Sequence, residues 1–154
     1  MTGSRSPIMT HRRTLLGCLL SVFVIFLLPD FARGEGSKII SAEQAKTQAA
    51  AGELLIIDVR TSAEWRETGV PQGAARANIF NADFLERVKR AVGADLSRPI
   101  AVICARGNRS KRAEQLLSQA GFTAVQNIKE GMLGSTHGKG WLAGGHPTEG
   151  CTGC

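Results

Sequence analysis

Residues 103–117 read ICARGNRSKRAEQLL. Ile103 and Cys104 close an apolar run, PIAVIC, that begins at Pro99. After the loop, Ala113, Leu116, Leu117 and Ala120 recur at helical spacing, and Gly121 stops the pattern. A continuous apolar run bounded by turn residues suits a strand covered on both faces, as in a parallel sheet. The stretch therefore predicts a strand, a loop and a helix starting near Ser110, with Cys104 where the strand ends.

The same logic extends outward. KII at 38–40 predicts a short strand, and Ser41 can cap a helix AEQAKTQAAA that Gly52 ends. Leu54 to Ile57 in ELLIIDVR form a second continuous apolar run. Ser62 is the predicted cap of a short helix, AEWRETG, and a further helix is expected over Asp83 to Val92, with Phe84, Leu85, Val88 and Val92 on its apolar face. FTAVQNI at 122–128 predicts another strand, and the glycine-rich remainder ending in GCTGC predicts an irregular tail. No internal repeat is present. Strands alternating with helices predict an α/β domain with a central, mostly parallel β-sheet and helices on both faces.

The chain has 154 residues, the size of one domain with appendages. Residues 15–28, LLGCLLSVFVIFLL, are almost wholly apolar, preceded by Arg5, Arg12 and Arg13 and ended by Pro29. That pattern is a basic region before a short apolar one, below the roughly 20 residues of a membrane span. Ala32 and Gly34 supply the small residues of a cleavage site, so residues 1–34 are expected to be a signal peptide, and HRRTLL has the form of a twin-arginine export signal. Export to the periplasm without stable membrane association follows; an uncleaved N-terminal anchor is the alternative. Losing residues 1–34 removes Arg5, Arg12, Arg13, Arg33 and Asp30, which leaves 15 basic and 12 acidic side chains. With so small an excess, no tyrosine and no basic run interleaved with aromatics, nucleic acid is excluded as a partner.

In open α/β sheets, ligands bind where strands end and helices begin, and Cys104 stands at such a point. The following helix directs unpaired N–H groups and its positive dipole end back toward the loop. Gly107 and Asn108 allow the positive φ angles of a tight turn, so the N–H groups from Ala105 to Ser110 can converge on one centre. Such a field favours a thiolate. Arg106 and Arg109 add charge suited to an oxyanion. Together these residues are what a nucleophilic sulfur meeting a small anionic substrate requires. A buried structural thiol is the alternative, but such a thiol has no use for two adjacent arginines.

Three motifs carry a family resemblance. IIDVRTSAEWRETGVPQGAARANI, VICARGNRS and VQNIKEGMLGSTHGKGWLAGGHP resemble, in order, the first signature, active loop and closing segment of single-domain rhodaneses. The likeness covers residues 37–147, which defines the expected domain, with 148–154 as a cysteine-containing tail. It implies a thiosulfate sulfurtransferase: Cys104 takes sulfane sulfur from a donor such as thiosulfate, holds it as a persulfide and passes it to cyanide or a thiol, without a cofactor. Arg106 and Arg109 would hold the sulfite moiety, and the loop amides of Ala105, Gly107, Asn108 and Ser110 the persulfide. Asp58, Arg60 and Glu64 match the family's DVR…E pattern, with an expected structural role as an ion pair and hydrogen bonds pinning the strand end. A histidine often found after the glycine at 69 is here Val70. Tyrosine-type phosphatases place an arginine after Cys and five residues; here that position is Ser110, and Arg109 comes one residue too early for a phosphate cradle. A non-catalytic sulfur carrier or interaction module is the alternative function.

Cys151 and Cys154 form a C-x-x-C pair. In an oxidising compartment they are expected to pair and leave Cys104 free. As a redox pair they could accept or reduce the Cys104 persulfide, reached through the flexible 138–150 segment, with a thiol-reducing protein as partner; a simple clip is the alternative. His146, Cys151 and Cys154 supply three ligands at most, so no metal is expected. Lys111 and Arg112 either extend the loop's positive field or are solvated helix charges.

Overall fold

The computed structural model describes Gly3 and residues 38–154; the expected export signal and cleavage site lie outside the described residues. The described residues form, in order, seven strands and five helices: β1 (Lys38–Ile40), α1 (Ala42–Ala50), β2 (Leu55–Asp58), α2 (Ser62–Thr68), β3 (Val70–Pro71), β4 (Ala75–Arg76), α3 (Phe84–Ala91), β5 (Ile100–Ile103), α4 (Asn108–Gln119), β6 (Val125–Ile128), α5 (Gly140–Ala143) and β7 (Thr148–Glu149). The main sheet has five strands in the order β1-β6-β5-β2-β4, every pair of them parallel. Among the described residues no helix is long and apolar enough to cross a membrane.

The two apolar runs are continuous because both faces of the sheet are covered. Side chains alternate along a strand. Ile57, Ile100, Val102 and Cys104 pack with Val88 and Val92 of the α3 region and Leu117 of α4. Ile56, Ala101 and Ile103 pack on the opposite face with Ala42 and Ala45 of α1, Met132 and Trp141 of α5. This alternation carries Cys104 to the α4 side.

Several boundaries differ from expectation, each for a local reason. The α2 cap is Thr61, not Ser62. Its hydroxyl accepts from the Glu64 N–H at 3.4 Å while the Glu64 carboxylate accepts from the Thr61 N–H at 3.0 Å. Glu64 stands three residues after Thr61, the spacing of a reciprocal capping box. Helix α4 starts at Asn108 rather than near Ser110, because Gly107 takes the cap position at φ 90°. The glycine-rich end is not wholly irregular: it contains α5, and β7 pairs antiparallel with β3 through Val70 with Glu149 and Pro71 with Thr148. Val70, which replaces the histidine of the first signature, is fully buried there.

Candidate active site

The C-terminal ends of β2, β4 and β5 lie in one row, with Asp58 in register with both Arg76 and Ile103. Cys104 follows directly. Its side chain is 1% exposed, so the thiol lies on the floor of the loop rather than on the surface. The Gly107 N–H donates to Sγ at 3.1 Å, and the Ser110 hydroxyl lies 3.4 Å from it. The Ser110 Oγ also donates to the Gly107 carbonyl at 3.0 Å, which draws the first turn of α4 over the sulfur. No side chain caps α4. The first-turn N–H groups of Asn108, Arg109 and Ser110 are thus without a capping partner, at the positive end of a twelve-residue helix.

The loop keeps its shape because a second segment braces it. Met132 N–H donates to the Cys104 carbonyl at 2.8 Å and Leu133 N–H to the Ala105 carbonyl at 2.9 Å. The approach is so close that a Cβ on Gly107 would stand 2.5 Å from the Lys129 carbonyl oxygen, and one on Gly131 would collide with the Ala105 carbonyl. Residues 129–133 lie within the closing segment VQNIKEGMLGSTHGKGWLAGGHP, and Gly131, with φ 70°, is the position there that marks the close approach.

The expected site residues separate into three groups. Ala105, Gly107, Asn108 and Ser110 build the loop around Cys104. Arg106 is exposed and, among the described residues, its guanidinium is bonded only to the Gly134 carbonyl at 3.4 Å, which leaves it available to an anion. Arg109 has a partner that the sequence did not show. Each of its terminal nitrogens donates to Glu64, at 2.7 Å to Oε2 and 2.5 Å to Oε1. A guanidinium held in this fork ties α4 to α2. The Arg109 guanidinium, with the Thr61 hydrogen bonds helping against partial burial, holds the Glu64 carboxyl down at about 2. Glu64 in turn pushes Arg109 up.

Asp58 and Arg60 form a separate, fully buried pair, with Nη2 2.6 Å from Oδ2. Arg60 also donates to the Thr68 hydroxyl and the Gly69 carbonyl, each at 2.7 Å. This set pins the end of β2 to the end of α2. The Glu64 carboxylate therefore works with Arg109 rather than with Arg60.

The family follows from sequence matching placed on this geometry. The model of the rhodanese-like domain matches residues 41–136. The chain belongs to the rhodanese-like domain family. It is 32% identical over 94 residues to the thiosulfate sulfurtransferase GlpE of Pseudomonas savastanoi pv. phaseolicola, covering 61% of this chain and 82% of that protein. It is 28% identical over 92 residues to an uncharacterized protein, RC0915, of Rickettsia conorii, covering 56% of this chain and 75% of the other. The solution structure of the rhodanese-like domain of Alr3790 from Anabaena sp. superposes with a TM-score of 0.60 at 28% identity, over 75% of this chain and 80% of that one.

Lys111 and Arg112 are exposed. His146 stacks edge-on against Trp141 at 5.2 Å, with Nδ1 3.6 Å from Glu43. Cys151 and Cys154 are bonded to each other, and Cys104 is the free cysteine among the described residues. The 138–150 segment is not a free tether: α5 and β7 hold it to the domain.

Proposed function

We propose that this rhodanese-like domain is an exported, periplasmic sulfurtransferase. It moves sulfane sulfur from a small anionic donor such as thiosulfate, through a Cys104 persulfide, to cyanide or a thiol. The observation that carries the reading is the seat of the Cys104 sulfur: an N–H at 3.1 Å, a hydroxyl at 3.4 Å and the uncapped start of α4 around one atom. The N–H and the uncapped helix start aim donors at the place where negative charge develops on sulfur during transfer. The relationship to the Pseudomonas savastanoi thiosulfate sulfurtransferase supports the donor class.

In the first step the Cys104 thiolate attacks the sulfane sulfur of thiosulfate. The S–S bond of thiosulfate breaks, and sulfite leaves with the electron pair. Exposed Arg106 holds the sulfite oxygens, while the loop amides hold the terminal sulfur of the persulfide. In the second step the carbon of cyanide, or a thiolate sulfur, attacks that terminal sulfur. Cys104 leaves as thiolate, and the product is thiocyanate or a small persulfide. Two successive displacements give ping-pong kinetics. Arg109, bound to Glu64, acts as a positioning residue that fixes the start of α4.

The test is thiocyanate formation from thiosulfate and cyanide, with intact mass after thiosulfate treatment. The mature protein should gain one sulfur atom, and Cys104→Ala should neither gain sulfur nor form thiocyanate. Full activity in Cys104→Ala would sink the reading; a wild-type protein that gains no sulfur yet binds a partner tightly would make it a carrier or interaction module.

A further inference from the structure

The Cys151–Cys154 disulfide sits in built surroundings, away from the loop. Glu149 accepts from the Gly73 N–H at 3.3 Å, and Arg66 Nη1 donates to the Cys154 backbone oxygen at 2.7 Å. With the β3–β7 pairing, these contacts lay the segment against the surface carrying α2 and β4. Arg76 Nη1 lies 2.9 Å from Cys151 Sγ and 3.6 Å from Cys154 Sγ. Among the described residues no carboxylate pairs with Arg76. Both cysteines are half-buried and open to a nucleophile from solvent.

A cavity of about 310 Å³ adjoins the disulfide, lined by Ser62, Trp65, Arg76, Asn78, Arg87 and Cys154 among others. Its volume is at the lower end for small-molecule sites. Among the described residues no acidic side chain lines it. Arg87 is partly neutralised by Asp83 at 2.8 Å, and Arg76 keeps its full charge. Two guanidiniums, side-chain amides and a hydroxyl next to a sulfur favour an anionic ligand. A purely structural clip accounts for little of this. A bridge spanning three residues closes one of the smallest loops a disulfide can close, and β7 and Arg66 already tie the segment.

We propose that Cys151–Cys154 is a thiol–disulfide exchange site, and that the adjoining cavity admits small thiols carrying a negative charge. The incoming thiolate attacks the Sγ of Cys154, a residue that lines the cavity. A mixed disulfide forms, the Cys151–Cys154 bond breaks, and Cys151 leaves as thiolate beside the Arg76 guanidinium. A second thiolate attacks the small-molecule sulfur of the mixed disulfide and releases Cys154 as thiolate. Two small thiols are oxidised to their disulfide, the protein disulfide is reduced to a dithiol, and solvent supplies the protons. The leaving-group role fits the shorter of the two Arg76 distances, because a stabilised thiolate leaves faster. This inference does not depend on Cys104 chemistry.

The experiment uses the oxidised mature protein, wild type and Cys104→Ala, with three thiols of similar size: mercaptoacetate, 2-mercaptoethanol and cysteamine. Reduction is followed by alkylation and intact mass. Each rate is divided by the same thiol's rate on the disulfide of 2-mercaptoethanol, which removes intrinsic nucleophilicity. Mercaptoacetate should lead cysteamine by roughly tenfold, and the lead should collapse near ~0.5 M salt. Arg87→Gln should slow mercaptoacetate about threefold and spare 2-mercaptoethanol, whereas Arg76→Gln should slow all three thiols about fivefold. Equal normalised rates for the three thiols, or an Arg76→Gln protein that reacts at the wild-type rate, would overturn the proposal. The salt dependence of the wild type decides the matter even where a variant does not fold. The same rates in Cys104→Ala separate this result from the fate of the persulfide reading.

Discussion

Replacing Glu64 by Gln tests the contact that joins α2 to α4. The substitution keeps the size of the side chain and an oxygen for the Thr61 cap, and it removes the charge that Arg109 holds. The Glu64 carboxyl is held at about 2 against an ordinary 4.5, first by the Arg109 hydrogen bonds. At about 1.4 kcal/mol per unit this depression corresponds to roughly 3 kcal/mol of stability at neutral pH. Gln keeps part of the cap, and Arg109 is one-quarter exposed and can rehydrate, so Glu64→Gln should cost about 2 kcal/mol. The folded-state value lies below the unfolded one. The stabilisation is therefore complete above about 4.5 and is lost as pH falls toward 2. Urea unfolding of wild type and variant across this range supplies the check. The stability gap should be full at neutral pH and should shrink by about half by pH ~3, because by then the unfolded Glu64 binds a proton that the folded carboxylate, held at about 2, does not. Other carboxylates titrate in both proteins and cancel in the difference. A gap that stays constant with pH, or one below about 0.5 kcal/mol at neutral pH, would refute the ion-pair account.

The other two expectations concern the loop. Among the described residues the Arg106 guanidinium has one hydrogen bond, to the Gly134 carbonyl at 3.4 Å. Arg106→Ala should raise KM for thiosulfate about ten- to a hundredfold, the worth of a charge-assisted hydrogen bond, while leaving the unfolding midpoint near wild type. Gly107→Ala should destabilise the domain by more than about 2 kcal/mol in thermal or urea unfolding, since it adds a left-handed strain penalty to a backbone collision. The collision is with the Lys129 carbonyl oxygen, 2.5 Å from the new Cβ, at φ 90°.

Local pattern carried most of the fold. Two uninterrupted apolar runs, PIAVIC and LLII, signalled strands buried on both faces, and Ile56 and Ile57 do pack into opposite cores. The α2 cap was misread by one residue because Thr61 and Ser62 are both good caps. The reciprocal bond to Glu64 chooses between them, and only the spacing to Glu64 encodes that choice. The start of α4 comes two residues before the expected Ser110 because Asn108, which like Gly107 can take the positive φ of a tight turn, does not take it here. In the structure Asn108 and Arg109 belong to the first helical turn, and Gly107 alone makes the bend.

What the sequence did not reveal lies in contacts between distant segments. Glu64 and Arg109 are 45 residues apart, and nothing local tells an arginine that binds substrate from one that binds a carboxylate. Placement in the fold decides it. Helix α2 begins after β2 and helix α4 after β5, β2 and β5 are parallel neighbours, and so both helix starts lie at one end of the sheet. A carboxylate in the first turn of α2 then meets an arginine in the first turn of α4. The same geometry explains why Arg106 differs. It precedes the positive-φ glycine and stays on the exposed part of the loop, whereas Arg109 follows it and is carried inward by the helix. Gly107 thus divides two arginines of similar sequence context into one free to meet an anion and one committed to holding the loop in place.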